Sequence, residues 1–202
     1  ADLVLDRRLD LGRAHAGAGD RRDGQLAAQH LIIQERIRLG RQPILSGVDL
    51  SVGEGGRLAL VGPNGSGKTT LLNSLSGLVP LRAGRLTLKG RDITRVRPFR
   101  RALLGLGRTF QDPALFPDLT VGECLTMAPR PQAVVEEPDL AGSALRNPRD
   151  TLDQLGISDW LQLKAGTLSF GQRKLVALAL ALAAAPSVLL LDEPVDGLSL
   201  AM

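Results

Sequence analysis

The stretch "GPNGSGKT", Gly62 to Thr69, sets a lysine and a hydroxyl directly behind a glycine-rich turn. It fits the pattern G-x-x-x-x-G-K-[ST], in which backbone N–H groups turn inward around phosphate oxygens. An apolar run, Arg57 to Val61, leads into it, and Leu71, Leu72, Leu75 and Leu78 follow at helical spacing. A strand–loop–helix of this kind adds the positive end of a helix to the amide cradle. Gly62, Pro63, Asn64, Gly65, Ser66 and Gly67 are therefore expected around a nucleotide's phosphates, with Thr70 in the first helical turn behind them. Lys68 is expected on the β- and γ-phosphates and the Thr69 hydroxyl on Mg²⁺. A chance glycine-rich turn would need neither the strand nor the helix.

A second chemical element closes the sequence, "SVLLLDEPVDGLSLAM" from Ser187 to Met202. An apolar strand ending in Asp192 and Glu193 suits an acid that holds Mg²⁺ beside a phosphate loop. Successive residues of a strand point to opposite faces, so one of the two acids can serve the metal while the other polarises an attacking water. Asp192 alone would pass as a strand-end cap. The third element is "LSFGQRK", Leu168 to Lys174, which opens an Ala/Leu helix and offers a second helix N-terminus. A lone S-x-G-Q reads equally well as a helix cap. Between a phosphate loop and "LLLDEP" it is specific.

With these three motifs the sequence, from Leu31 onward, resembles the nucleotide-binding domains of ATP-binding cassette (ABC) transporters. The resemblance implies an α/β fold: a P-loop NTPase core with a mainly parallel sheet, an N-terminal antiparallel β subdomain and an inserted helical subdomain. It assigns Gln111, in "GRTFQDPALF", as the glutamine that touches Mg²⁺ and the attacking water. It implies a head-to-tail dimer, in which Ser169, Gly171 and Gln172 of one chain close on nucleotide held by the other. Catalysis would then rest on Glu193, Gln111 and Lys68, and the metal on Thr69, Gln111 and Asp192, with ATP and Mg²⁺ as ligands. The implied partners are a second nucleotide-binding domain and transmembrane permease subunits, at the cytoplasmic face of the cell membrane. "GRTFQ", "LFPDLTV", "LSFGQRKLVALA" and "DEPVDGL" look most like the ATPases of branched-chain amino-acid uptake.

Several positions depart from the family's pattern. Leu39 stands where an aromatic residue usually stacks on adenine, Phe170 where glycine is commonest in the signature, and Ser199 where many members have Asp in the loop Val195–Ser199. The family's switch histidine lies on a further strand beyond the acids, and His15 and His30 precede the core. A chain truncated at its C-terminus is expected, binding ATP with little turnover as the alternative to full hydrolysis.

The elements that must position these residues can be read from periodicity. "SGVDLSV" alternates apolar Val48, Leu50 and Val52 with polar neighbours, a half-buried strand. Arg57–Val61 is near-continuously apolar, as in a central strand covered on both faces. "GRLTLKG" is another short strand. From Asp112 to Thr167, Pro113, Pro117, Pro129, Pro131, Pro138 and Pro148 break up weak helical segments, and Thr120 to Glu123 forms a capping box. The domain therefore spans 31–202, with 31–111 and 168–202 as core and 112–167 as the helical subdomain. Residues 1–30, rich in Ala, Gly, Arg and Asp, are expected to be a tail or linker.

Composition bounds the rest. A chain of 202 residues with 44% hydrophobic content can bury a sizeable core. Aromatics make up 2%, so that core must be Leu, Val, Ile and Ala. The net charge of +4, without a basic stripe interleaved with aromatics, does not point to nucleic acid. One cysteine, Cys124, excludes an internal disulfide framework. The longest apolar stretch, Leu175 to Leu191, is split by Pro186 and Ser187 into a helix and a strand rather than a membrane span. A soluble DNA-acting ATPase of the same kind would carry a long coiled-coil insertion, and this insertion is short.

Overall fold

The computed structural model describes residues 4–6, 29–34, 48, 50–81, 83–128 and 148–194. Contacts divide the chain into two compact units, Ala1–Val96 and Arg97–Met202.

The first unit is built on an antiparallel sheet. Strands β2 (Gln29–Gln34) and β3 (Leu50–Gly53) follow β1 (Val4–Asp6), and β4 (Ala59–Val61) comes next. After the helix α1 (Lys68–Ser76) come β5 (Arg85–Leu88) and β6 (Arg91–Asp92). Four strands pair in the order β3-β2-β5-β6, all antiparallel. Alternation sets the inward face: Leu86 and Leu88 are buried while Arg85 is exposed, and Leu50 is buried beside exposed Ser51. Lys89 and Gly90, with φ of 49° and 75°, join β5 to β6 in the two-residue turn whose twist matches the strands.

β4 pairs antiparallel with β1, Val4 opposite Val61 and Leu5 opposite Leu60. The segment 1–30 is thus not wholly a tail, since β1 lies inside it and β2 begins at Gln29. Of the run Arg57–Val61 only Ala59–Val61 forms strand, and Val61 is 50% exposed, so it is not covered on both faces. Antiparallel pairs can leave one face to water, and an apolar run alone does not say which kind of pairing it makes.

α1 is capped by Gly67 and Gly77, both left-handed, with the Leu78 and Val79 amides bonded back to the Asn73 carbonyl. Leu71, Leu72 and Leu75 are buried, whereas Leu78 lies past the glycine stop and is 51% exposed. The leucine stripe therefore ends one member short of its spacing.

The second unit carries the parallel pairing. Helix α2 (Pro98–Leu103) leads into β7 (Leu106–Arg108), which pairs in parallel with β8 (Val188–Leu190). The glycines of "GLG" let these strands approach. A Cβ on Gly105 would meet the Ser187 hydroxyl at 2.8 Å, and one on Gly107 would meet Pro186 at 2.9 Å. Between the strands lie α3 (Val121–Thr126), α4 (Pro148–Gln154) and α5 (Phe170–Ala183). Val121, Leu125, Leu152, Ile157, Leu168, Val176 and Ala179 form one buried cluster. α5 thus shares a core with the inserted helices.

The expected capping box at Thr120 is formed, with both of its reciprocal bonds to Glu123. The apolar stretch Leu175–Leu191 breaks after Ala183, as Pro186 requires, and among the described residues no helix is long and apolar enough to cross a membrane. Among the described residues the buried apolar side chains are aliphatic apart from Cys124, and Phe99, Phe110, Phe116 and Phe170 are exposed.

Candidate functional site

The phosphate loop belongs to the first unit. β4 ends at Val61, the chain turns through Gly62–Gly67, and α1 begins at Lys68. Gly65 and Gly67 sit at φ of 80° and 99°, a backbone that side chains resist, so these glycines permit the curl. The Ser66 amide closes a turn on the Pro63 carbonyl at 3.2 Å. The helical ladder starts with the Leu71 amide on Gly67, which leaves the preceding amides of the first turn ahead of it.

Lys68 folds back over this loop. Its Nζ donates to the Gly62 carbonyl at 2.7 Å and to the Pro63 carbonyl at 3.0 Å. Phosphate oxygens are stronger acceptors for an ammonium than carbonyls, so these bonds can be exchanged for a phosphate. Ser66 is 3% exposed and its hydroxyl has no hydrogen-bond partner. A buried hydroxyl is rarely left unsatisfied, and this one lies within the curl. These residues fit a bound phosphate chain. Thr69, expected at the metal, is exposed at the helix start, and Asn64 is exposed beside it.

The acid pair belongs to the second unit. β8 ends at Leu190, so Asp192 and Glu193 stand beyond the strand rather than on it. The two carboxylates take different partners, Arg108 and Gln111, and Glu193 sits at φ 47°, a left-handed turn, so the strand alternation expected from sequence does not apply to them. Asp192 is buried, paired with the Arg108 guanidinium at 3.4 Å, and its amide donates to the Thr109 hydroxyl at 3.4 Å. Burial pulls the Arg108 pKa down, opposed by the Asp192 charge and by its bond to that carboxylate. Gln111 Nε2 donates to the Glu193 carboxylate at 2.9 Å. The structure thus joins Gln111 and Glu193, the two residues expected around an attacking water.

The signature joins the same group. Ser169 caps α5, accepting from the Gln172 amide at 3.3 Å while its own amide donates to Gln172 Oε1 at 2.8 Å. Two expected nucleotide contacts therefore also close their own helix end, with Gly171 between them in the first turn. One turn on, Lys174 Nζ donates to the Glu193 carbonyl at 2.9 Å and lies 5.2 Å from the Phe170 ring centre. The sequence alone gives Arg108 and Lys174 no role. A faint signal exists for each, a cation amid "LGLGRTF" and another inside an Ala/Leu helix. Leu39 and the loop Val195–Ser199 lie outside the described residues.

A glycine-curled loop feeding a helix, in an α/β chain with an acid pair just beyond one of its parallel strands, defines a P-loop nucleotide-binding protein. The family model described as ABC transporter matches residues 45–196. A sulfate/thiosulfate import ATP-binding protein of Chromobacterium violaceum is 41% identical over 172 residues, 85% of this chain and 44% of that protein. An sn-glycerol-3-phosphate import ATP-binding protein of Agrobacterium fabrum is 37% identical over 175 residues, again 44% of its length. Among solved structures, a nucleotide-free ATP-binding cassette from an ABC transporter aligns with TM-score 0.66 and 30% identity, over 85% of this chain and 71% of that one. The chain belongs to the ABC transporter ATP-binding family. It spans under half the length of these curated relatives.

Proposed function

We propose that this chain is the ATP-binding module of an ABC importer, working as one of a pair of nucleotide-binding domains beneath transmembrane permease subunits at the cytoplasmic membrane face. The observation that carries it is the loop Gly62–Thr69, with its left-handed glycines, its buried unpartnered Ser66 hydroxyl and Lys68 bonded to exchangeable carbonyls. In this reading Gly62–Thr70 bind the phosphates. Thr69, Gln111 and Asp192 supply the oxygen donors that Mg²⁺ favours. Glu193, oriented by Gln111, accepts a proton from the attacking water, and Ser169, Gly171 and Gln172 reach nucleotide held by the partner domain. Mg²⁺ would supply charge neutralisation at the phosphates.

The cargo is a finer matter. Branched-chain amino acids are the expectation from the loop wording "GRTFQ" and "LFPDLTV". The relatives' names speak of sulfate or thiosulfate, glycerol-3-phosphate and ferric ions. Uptake assays with the cognate permease, using each of these solutes, decide among them.

A second reading, binding with little turnover, draws on the acid pair. The Asp192 carboxylate is engaged by Arg108 and that of Glu193 by Gln111. Titration with a fluorescent ATP analogue, run beside phosphate release, separates the two. Binding that Lys68→Ala abolishes, with steady phosphate release from the parent, supports the hydrolysing module. The same binding without release supports the second reading. Binding that survives Lys68→Ala unchanged overturns both.

A further inference from the structure

We propose that Arg108 is a positioning residue, a built-in counter-ion that holds the Asp192 carboxylate and competes for it with the divalent cation. This rests on the reading of Asp192 as a metal residue. Arg108 is the last residue of β7, and its register partner on parallel β8 is Leu190, just ahead of Asp192. The two side chains are 6% and 5% exposed, so the pair is removed from water.

A buried carboxylate left without a cation carries a large desolvation penalty. A cation is therefore needed beside it, and the Arg108 guanidinium is one. Arginine suits the task because its guanidinium stays protonated even where burial lowers its pKa. The guanidinium carbon also lies 4.7 Å from the centre of the Phe110 ring, so the plane is held over an aromatic face while it reaches the acid.

The pair is also loose. At 3.4 Å it is longer than the 2.7–2.9 Å of a tight charge-assisted bond. A loose bond yields readily to a stronger cation at the same oxygens. Two cations drawing on one carboxylate oppose each other electrostatically, so removing the arginine's charge should leave Asp192 a better metal ligand. A purely structural ion pair would lower stability when broken and leave the metal requirement where it was.

The experiment uses the whole chain with a fluorescent ATP analogue at fixed concentration and measures the Mg²⁺ concentration giving half-maximal binding. Arg108→Gln is expected to lower that concentration by roughly threefold to tenfold, as loss of a nearby like charge implies. Arg108→Lys, which keeps the charge, should stay near the parent. Thermal melting in EDTA should fall for Arg108→Gln and recover more on adding Mg²⁺ with ATP than it does in the parent. A half-maximal concentration that is unchanged or raised in Arg108→Gln overturns the proposal.

Asp192→Asn separates the two layers of the argument. If it leaves the Mg²⁺ requirement unchanged, the reading of Asp192 fails and the proposal falls with it. If it raises the requirement while Arg108→Gln does not lower it, the reading of Asp192 stands and the competition alone is wrong. Should Arg108→Gln not fold, the parent still decides the matter through the Arg108 Nε–H signal in ¹⁵N NMR. That signal should move when Mg²⁺ is added to the ATP-bound chain, and a signal that does not move overturns the proposal.

Discussion

At the scale of single residues, Glu193 concentrates the site's unusual features. It holds a left-handed backbone at φ 47°, its carboxylate accepts from Gln111, and its carbonyl accepts from Lys174. A residue with a Cβ in that conformation costs about 1–2 kcal/mol. Strain of this size persists only where surrounding bonds hold it, and Lys174 and Gln111 are such bonds. We expect Glu193→Gln to keep nucleotide binding and to lower turnover by roughly 10²–10⁴-fold, the contribution of a general base. Phosphate release at saturating ATP measures it, and parental turnover in the variant would remove Glu193 from that role. Glu193→Gly should lose turnover equally while melting no lower than the parent, because glycine relieves the strained φ. The two acids stand out in sequence by their types and their place after an apolar run. The turn that separates them does not, since it depends on Lys174 and Gln111, far along the chain.

At the scale of elements, caps and turns decide where the functional groups stand. The box at Thr120 was readable because S/T-x-x-E is local and self-contained. The box at Ser169 uses the same logic with Gln172, yet its residues also match a functional signature, so its structural share was hidden. Ser169→Ala is expected to lower stability by about 1 kcal/mol, seen as a shifted denaturant midpoint in the absence of nucleotide, whatever it does to turnover. A Ser169→Ala variant as stable as the parent would mean the cap is not carrying the helix end. In the other box, the Thr120 amide and hydroxyl hold the Glu123 carboxyl below its ordinary value of 4.5. A lowered folded pKa means the contribution is complete above that ordinary value and fades as pH falls through it toward the folded value. Thr120→Ala should therefore destabilise the chain at neutral pH and lose only part of that effect at strongly acid pH, because the hydroxyl's bond to the carboxylate titrates while its acceptance from the Glu123 amide does not, as chemical denaturation at several pH values would record. A third local device is the turn at Lys89 and Gly90. Lys89→Asn should raise stability by up to about 1 kcal/mol, since asparagine tolerates the left-handed region that this turn demands.

At the scale of the whole molecule, much of the architecture followed from residue types: an aliphatic core, a β-rich N-terminal part and a helical insertion. What escaped was long-range pairing. β1 is a strand of "VLD" amid arginines and aspartates, and nothing local marks it until β4 supplies its partner. The prolines from Pro113 onward mark where helical segments break up, while the compact units divide between Val96 and Arg97, a different boundary. Prolines report broken helices, and packing is set by apolar faces. Each unit has its own fully buried leucines, Leu71 in α1 and Leu152 in α4. Truncating either to alanine is expected to remove about 2–5 kcal/mol of stability. Their effects on nucleotide should differ. Leu71 anchors the helix whose first turn carries Lys68 and Thr69, so Leu71→Ala should weaken nucleotide binding as well. Leu152 sits in the cluster of inserted helices, away from that helix in sequence and in its own unit. Leu152→Ala should bind ATP within about twofold of the parent at temperatures where far-UV circular dichroism shows it folded. Nucleotide at a hundred times its dissociation constant should then raise its stability by about 2.7 kcal/mol, the same increment as in the parent. If folded Leu152→Ala loses that increment, nucleotide affinity depends on the helical cluster as much as on the loop, and the leading part proposed for the loop Gly62–Thr69 is wrong.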